Sequence, residues 1–515
     1  MTSFRIARRG EGGYAQYRIP ALAVTPQGTI LAAYDGRPNL DDLPSPIDLL
    51  LRRSTDGGET WSAQQVVRTG TGLEGFGDPS LLIDTVTGRI FMFHAAGTLA
   101  GFFEAAEGTE PTDAVQHVDV SISDDDGLTW SHRRLTAQLK RPGITGIFAA
   151  SGTGVRIDEG EYAGRLVQPM VLLDGGEITA AAAFSDDHGE TWTLGDPVGG
   201  GTNESAIAML PDGSLLLHSR GTPRRLAARS VDGGASWSPV EPVAGLPDPS
   251  DNGSLLALAG EPDALLVTSN LDPELRRNTA VSLSLDGGAT WPHQHVICEG
   301  SSGYSCAAQL PDGRIGVLYE RDGYSEIVFT AVSLDEIRTA GAVDGEQAGL
   351  TAPEEPTLEV ILRSITPGLP EEWVHVGEYH VYPVDTGGVD ASAWKEVGQG
   401  YADTGMILGT REAQLRNYGP PRPGLRAGDI LAFHARLRLP EGVSAEDVVL
   451  RHPGGQTSPQ DVPAGGRAVF GAPYPAYTVT EEDIAAGVVT VRFAVPTLGL
   501  ERELRFDCAT GLPLA

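Results

Sequence analysis

From Tyr14 to about Leu334, short apolar runs alternate with turn signals. Thr25-Pro26-Gln27-Gly28, Thr87-Gly88 and the twin phrases Leu210-Pro211-Asp212-Gly213 and Leu310-Pro311-Asp312-Gly313 each precede a run that reads as a strand: Ile30 to Tyr34, Ile90 to His94, Leu215 to His218 and Ile315 to Tyr319. Residues 339–356, rich in Ala, Gly, Glu and Pro, read as a linker. Beyond it alternation resumes, with Leu431, Phe433, Leu437 and Leu439 set against His434, Arg436 and Arg438, and Val489, Val491, Phe493 and Val495 against Thr490 and Arg492. The pattern predicts an all-β chain of two domains, residues 1–338 and 357–515, the second a sandwich.

A phrase Ser-x-Asp-x-Gly-x-x-Trp recurs five times in the first domain, from Ser54 to Trp61, Ser123 to Trp130, Ser185 to Trp192, Ser230 to Trp237 and Ser284 to Trp291. A repeat at roughly 45 to 70 residues fits propeller blades. In each copy the Asp can accept N–H groups of its own turn, the Gly supplies a positive φ, and the Trp can pack between neighbouring sheets. Five copies around a ring cannot converge on one substrate, so the boxes read as scaffold. Five boxed blades and one without a box predict a six-bladed β-propeller, closed by pairing strands from the two ends of the domain.

Composition narrows the chemistry. Gly 66 and Pro 36 with 21% charged residues suit a turn-rich β protein. A formal net charge of -32 argues against nucleic acid or an anionic membrane surface as partner. An anionic small molecule would need a local arginine cluster, which is feasible because the Debye length is only about 8 Å at physiological salt. Cys298, Cys306 and Cys508 form neither a disulfide framework nor a zinc spacing. The run Asp124-Asp125-Asp126-Gly127 lacks the spaced ligands and closing Glu of a calcium loop, so no metal and no cofactor is expected. Gly70-Thr71-Gly72-Leu73-Glu74-Gly75 matches a dinucleotide pattern, but Phe76-Gly77-Asp78-Pro79 follows where a helix should start, and the stretch reads as a loop. No apolar run follows Arg8-Arg9, so a cytoplasmic location is expected, or a secreted one if a leader has been removed. No stretch is long enough for a transmembrane helix.

Tyr17-Arg18-Ile19-Pro20 followed by five Asp boxes resembles the sialidase (neuraminidase) superfamily, and in particular the bacterial exo-α-sialidases, over about residues 14 to 334. The resemblance implies release of terminal α-linked sialic acid, or a related nonulosonic acid, from glycoconjugates. It implies three arginines for the substrate carboxylate: Arg18, Arg220 and Arg276, with Arg277 as the competing assignment for the third, since strand alternation lets only one of the two neighbours point inward. Glu320 takes the place of the glutamate that orients the first arginine. Tyr304 takes the nucleophile position and Glu204 that of its base. A neutral phenol suits an anomeric carbon bearing a carboxylate, which would repel an Asp or Glu. The general acid falls in Arg37-Pro38-Asn39-Leu40-Asp41-Asp42, where spacing favours Asp42 over Asp41. Arg37 resembles the residue facing the sugar's 4-hydroxyl, and Asp78 a residue lining the C5 pocket. A trans-sialidase, an intramolecular trans-sialidase and a sugar-binding propeller without catalysis are the alternatives; the resemblance leaves the C5 substituent open.

Overall fold

A computed structural model describes residues 2–341, 352–367, 374–376, 379–381, 419–457, 460–470 and 474–514. Four-stranded antiparallel blades succeed one another along the chain. Blade 1 is Gln16–Val24, Ile30–Arg37, Asp48–Ser54 and Gln65–Arg68; blade 2 is Gly75–Ile83, Ile90–Gly97, His117–Ser123 and Ser131–Arg134. In blade 3 the first strand is interrupted: Ile144–Ala149 and Val155–Arg156 both pair with Leu166–Asp174, and between them Gly152–Thr153 pairs in parallel with Ser80 and Leu81 of blade 2. Glu177–Ser185 and Thr193–Leu194 complete it. Blade 4 is Ser205–Met209, Leu215–Ser219, Arg224–Ser230 and Glu241–Pro247.

Blades 5 and 6 share one long strand. His293–Gln309 pairs through its first half with Arg277–Ser284 of blade 5, beside Leu265–Asn270 and Ser254–Ala257, and through its second half with Ile315–Arg321 of blade 6. Glu326–Val332 follows, and the N-terminal strand Thr2–Arg8 pairs with it antiparallel as the outer strand of blade 6. The six-bladed ring therefore closes by pairing strands from the two ends of the domain. Strands inside a blade are covered on both faces by neighbouring blades, which is why Ile30–Arg37, Ile90–Gly97 and Glu326–Val332 are buried along their whole length.

Each box is a self-contained turn between the third and fourth strands. In all five the Ser Oγ accepts from the backbone N–H of the box Gly at 2.9 Å. The box Asp accepts the backbone N–H four residues on. These glycines lie at φ 81 to 91°, and a Cβ on Gly58 would meet Phe329 at 2.3 Å. The box Trp reaches the preceding blade: Trp61 packs on Phe329 of blade 6, Trp192 on Phe91 and Phe93 of blade 2, and Trp291 on His218 of blade 4. Asp126 accepts from Thr25, Thr29 and Arg53 of blade 1, so one acid of the acidic run ties blade 2 to its neighbour.

The linker expectation falls mostly on residues 342–351, outside the described residues. From Thr357 onward two sheets share one core. Thr357–Thr366, Ile430–Arg438, Arg467–Phe470 and Ala476–Thr478 form the first, and Gly455–Gln456, Arg451–His452, Val488–Val495 and Leu500–Asp507 the second. Leu358, Leu362, Phe433, Leu437, Val491, Phe493 and Phe506 fill the space between them, as in a β-sandwich. One alternating position departs from the expected solvated face. Arg436 is fully buried, because its strand docks on the propeller and its guanidinium bonds Asp272 at 2.9 Å through both Nη atoms and Glu359 at 2.8 Å. The same docking face pairs Arg277 with Asp272 and Glu359, and joins Gln16 Nε2 to the Ile365 carbonyl at 2.8 Å.

Candidate active site

In an antiparallel blade the start of the first strand and the end of the second lie on one face of the ring, and the box turns on the other. Arg18, Asp78 and Tyr304 sit near the starts of inner strands, and Glu204 directly precedes one. Asp42, Arg220 and Arg276 occupy turns after second strands. All seven line one cavity of about 340 Å³. Bulges aim several of them: register slips between Arg18 and Ala21, Gly77 and Ser80, and Ser302 and Ser305. Ile19 and Asp78 hold positive φ values of 61 and 63°, strain that a β-branched or acidic residue keeps only where its surroundings fix it.

Tyr304 stands at the centre. It is 7% exposed, donates from Oη to Glu204 Oε2 at 2.5 Å and accepts from Arg220 Nη1 at 2.5 Å. Arg220 also donates to Glu204. The guanidinium groups of Arg18 and Arg276 each lie 5.2 Å from the Tyr304 ring centroid. Burial pushes the phenol well above its ordinary pKa; Arg220 opposes this and Glu204 adds to it. The phenol therefore keeps its proton in the resting site, against a carboxylate placed to take it.

Each arginine has its own acid behind it. Glu320, fully buried, accepts from Arg18 Nε at 3.0 Å and Nη2 at 3.2 Å. Its two oxygens also accept the backbone N–H groups of Ile19 at 2.8 Å and Tyr304 at 3.0 Å, so one carboxylate fixes the first arginine and the phenol together. Arg276 pairs with buried Asp251 at 3.2 Å and donates to the Ser250 carbonyl at 2.8 Å. Arg277 turns the other way, to Asp272 and Glu359 at the domain interface. Of the two neighbours, Arg276 faces the cavity.

The acid loop also separates its two aspartates. Asp41 is buried and bonded to Asn39 at 3.0 and 3.2 Å, whereas the Asp42 side chain is 63% exposed and its Oδ1 accepts from Arg37 Nη1 at 2.7 Å. Arg37 differs from the expectation that it faces the sugar: its side chain is fully buried, drawn beneath the cavity by Asp35 at 2.7 Å, Asp42 and, at 3.9 Å, Asp78. One guanidinium against three carboxyls cannot neutralise them all. Burial, with Asp35 and Asp42 nearby, pushes Asp78 well above the carboxylate range, while Arg37 and Arg18 overcome the desolvation of Asp42 and hold it below.

Three further acids carry a consequence for stability. Burial raises Asp35 and Asp248 to about 6 and Asp251 to about 7. Unfolding returns each to about 4. Between about pH 4 and pH 7 these three groups thus hold protons in the folded chain that they have lost in the unfolded chain, and the stability each contributes falls as pH rises through that window. The melting temperature of Asp251→Asn relative to that of the unmodified chain is expected to rise between about pH 4 and pH 7, because only the unmodified chain loses this contribution, while buried histidines such as His94 and His218, pushed down to about 3, act in the opposite sense in both. A difference in melting temperature between the two chains that stays constant over this range contradicts the raised pKa of Asp251.

Sequence reasoning missed Asp251, Tyr324 and the apolar wall of Leu43, Phe102, Phe103 and Phe148. Phe102 and Phe103 lie on the long connection 98–116 inside blade 2, whose length alone is a functional signal.

Comparison with known proteins bears on the family and the fold. The BNR repeat-like domain family matches residues 28–317. A sialidase of Micromonospora viridifaciens is 45% identical over 331 residues, 61% of this chain and 51% of that protein. A sialidase of Bacteroides fragilis is 32% identical over 64% of each chain. The chain therefore spans about half the length of the first relative and 64% of the second. Among solved structures, Hadza microbial sialidase Hz136 superposes with a TM-score of 0.61 at 30% identity, covering 65% of this chain and 69% of that one. The leech intramolecular trans-sialidase superposes with a TM-score of 0.57 at 22% identity over 65% of this chain and 71% of its own, a likeness of fold. With its repeats matched over more than half its length, the chain belongs to the sialidase superfamily.

Proposed function

We propose that the chain is a retaining exo-glycosidase that releases terminal α-linked sialic acid from glycoconjugates through a tyrosyl-sugar intermediate. Residues 1–338 carry the chemistry and residues 357–515 form an accessory domain. The observation that carries this reading is one cavity in which Arg18, Arg220 and Arg276 surround a phenol hydrogen-bonded to a buried carboxylate. The arginines bind the substrate carboxylate, bidentate donors that stay charged when desolvated. Asp42 protonates the departing glycosidic oxygen. Tyr304 Oη attacks C2 as its proton passes to Glu204, and the bond from C2 to the leaving oxygen breaks. Water, deprotonated by Asp42, then attacks C2; Tyr304 leaves and recovers its proton from Glu204. Two displacements retain configuration. Glu320 orients Arg18 and the backbone of Tyr304, and Arg37 holds Asp42 and Asp78 in the resting state.

The wall of Leu43, Phe102, Phe103 and Phe148 supports an N-acyl group at C5, whose methyl it would cover, over a hydroxyl. The test is aryl release from an aryl α-sialoside in parallel with its deaminated C5-hydroxyl analogue. The N-acetyl substrate is expected to be cleaved faster by about tenfold or more in kcat/KM. Free sugar as the main product separates hydrolysis from transfer or anhydro-sugar formation. Saturable binding of both sialosides without release from either would instead identify a sugar-binding propeller.

A further inference from the structure

One cavity residue comes from outside the propeller. Arg363 projects from Thr357–Thr366 of the second domain and lines the cavity together with Arg18 and Arg276. Its guanidinium donates to Tyr324 Oη and lies 5.2 Å from that ring's centroid. Tyr324, 4% exposed, is itself bound to two of the clamp arginines: Arg276 Nη1 donates to its Oη at 3.3 Å, and the Arg18 guanidinium lies 4.2 Å from its ring centroid. A phenol oxygen has two lone pairs, which these two guanidinium donors occupy, and its ring face takes the third cation. Tyr324 thus separates like charges that would otherwise repel across the cavity.

The turn that carries Tyr324 is also held from the second domain. Tyr324 has φ 61°, a strained value for a bulky residue. Ser301 Oγ accepts from the Gly323 N–H at 3.1 Å and donates to the Leu362 carbonyl at 2.6 Å. A Cβ on Gly323 would come within 2.7 Å of Leu362, so the strand and the turn are in direct contact. The buried ion network of Asp272, Arg277, Glu359 and Arg436 clasps the same strand to the chain immediately beside Arg276.

We propose that the accessory domain completes the active site, with Arg363 as a positioning residue that acts through Tyr324 on Arg18 and Arg276. The inference rests on the sialidase reading above. The clamp grips the carboxylate in the ground state and the transition state alike, so loosening it raises KM and leaves kcat nearly unchanged.

The test uses the full chain with an aryl α-sialoside, comparing R363M, R363K, Y324F and the double variant R363M/Y324F. KM is expected to rise about tenfold in R363M, the loss of one charge-assisted hydrogen bond, and at least as much in Y324F, which loses two, with kcat within about twofold in both. R363K should recover part of the loss, and R363M/Y324F should be no worse than the weaker single variant, since both changes break the same link. A kcat that falls at unchanged KM, R363M kinetics within about twofold of the unmodified chain, or losses that multiply in the double variant would each overturn the inference. If R363M does not fold, R363K and Y324F carry the same comparison. An unmodified chain without turnover overturns the sialidase reading itself; turnover with an indifferent Arg363 overturns only the present inference.

Discussion

Tyr304→Phe is expected to lower kcat for an aryl α-sialoside by about 10³-fold or more while KM changes little. The substitution removes one oxygen and keeps the ring that lies 5.2 Å from the guanidinium groups of both Arg18 and Arg276, so the carboxylate site stays assembled. What is lost is the only hydroxyl bonded to Glu204 Oε2 among the described residues, and with it the bond to C2. Arg220 keeps its pair with Glu204, which limits the cost of leaving that buried carboxylate without the phenol. Single-turnover kinetics and the intact mass of the protein under turnover check both parts. Activity within a few-fold of the unmodified chain, or a sugar adduct still forming in the variant, would remove Tyr304 from the nucleophile role.

Asp42→Asn is the second large effect, and it depends on the leaving group. Loss of a general acid costs about 10² to 10⁴ in kcat/KM where the departing oxygen is an alkoxide, as in a natural glycan, and much less for a nitrophenolate that leaves without a proton. Before substrate binds, Arg37 and Arg18 outweigh the desolvation of Asp42 and hold it below the usual carboxylate range, so at neutral pH it has no proton to give. A substrate carboxylate on the arginines cancels part of the charge that depresses it, and bound sugar removes water from its exposed side. Binding thus raises the acid's pKa at the point of need. The kcat of an alkyl sialoside, which reports the acid in the bound complex, is accordingly expected to increase toward acidic pH, and to lose that increase in the Asn variant. Equal losses for alkyl and nitrophenyl substrates would exclude Asp42 as the acid.

Legibility in the sequence followed the range of the interactions. The boxes could be read because Ser, Asp, Gly and Trp bond within eight consecutive residues, and the six-blade count followed from their number. Arg18, Glu204, Tyr304 and Glu320 were readable as phrases of a known pattern, each fixed on a blade strand or beside one. The choice between Arg276 and Arg277 was not, since it is made by Asp251 on one side and by Glu359 of the other domain on the second. The burial of Arg37 needed Asp35, two residues away along the strand but facing the same side. Tyr324 and Arg363 have no periodic or motif signature: they meet only because one domain docks on a turn of the other. Arg436 looked like a solvated position for the same reason.

Closing the ring with Thr2–Arg8 against Glu326–Val332 sets an order of events during synthesis. The first strand leaves the ribosome long before its partner exists. At about 5 to 20 residues per second the wait is roughly 15 to 65 s. Throughout it, the side of blade 1 that will meet Leu318, Ile327 and Phe329 lacks those partners, and Trp61 lacks the Phe329 ring on which it packs. Nascent chains paused before residue 326 would therefore carry an open-ended stack of blades with unmet apolar surface, a state suited to holdase chaperones and prone to pairing with a second nascent chain on the same message.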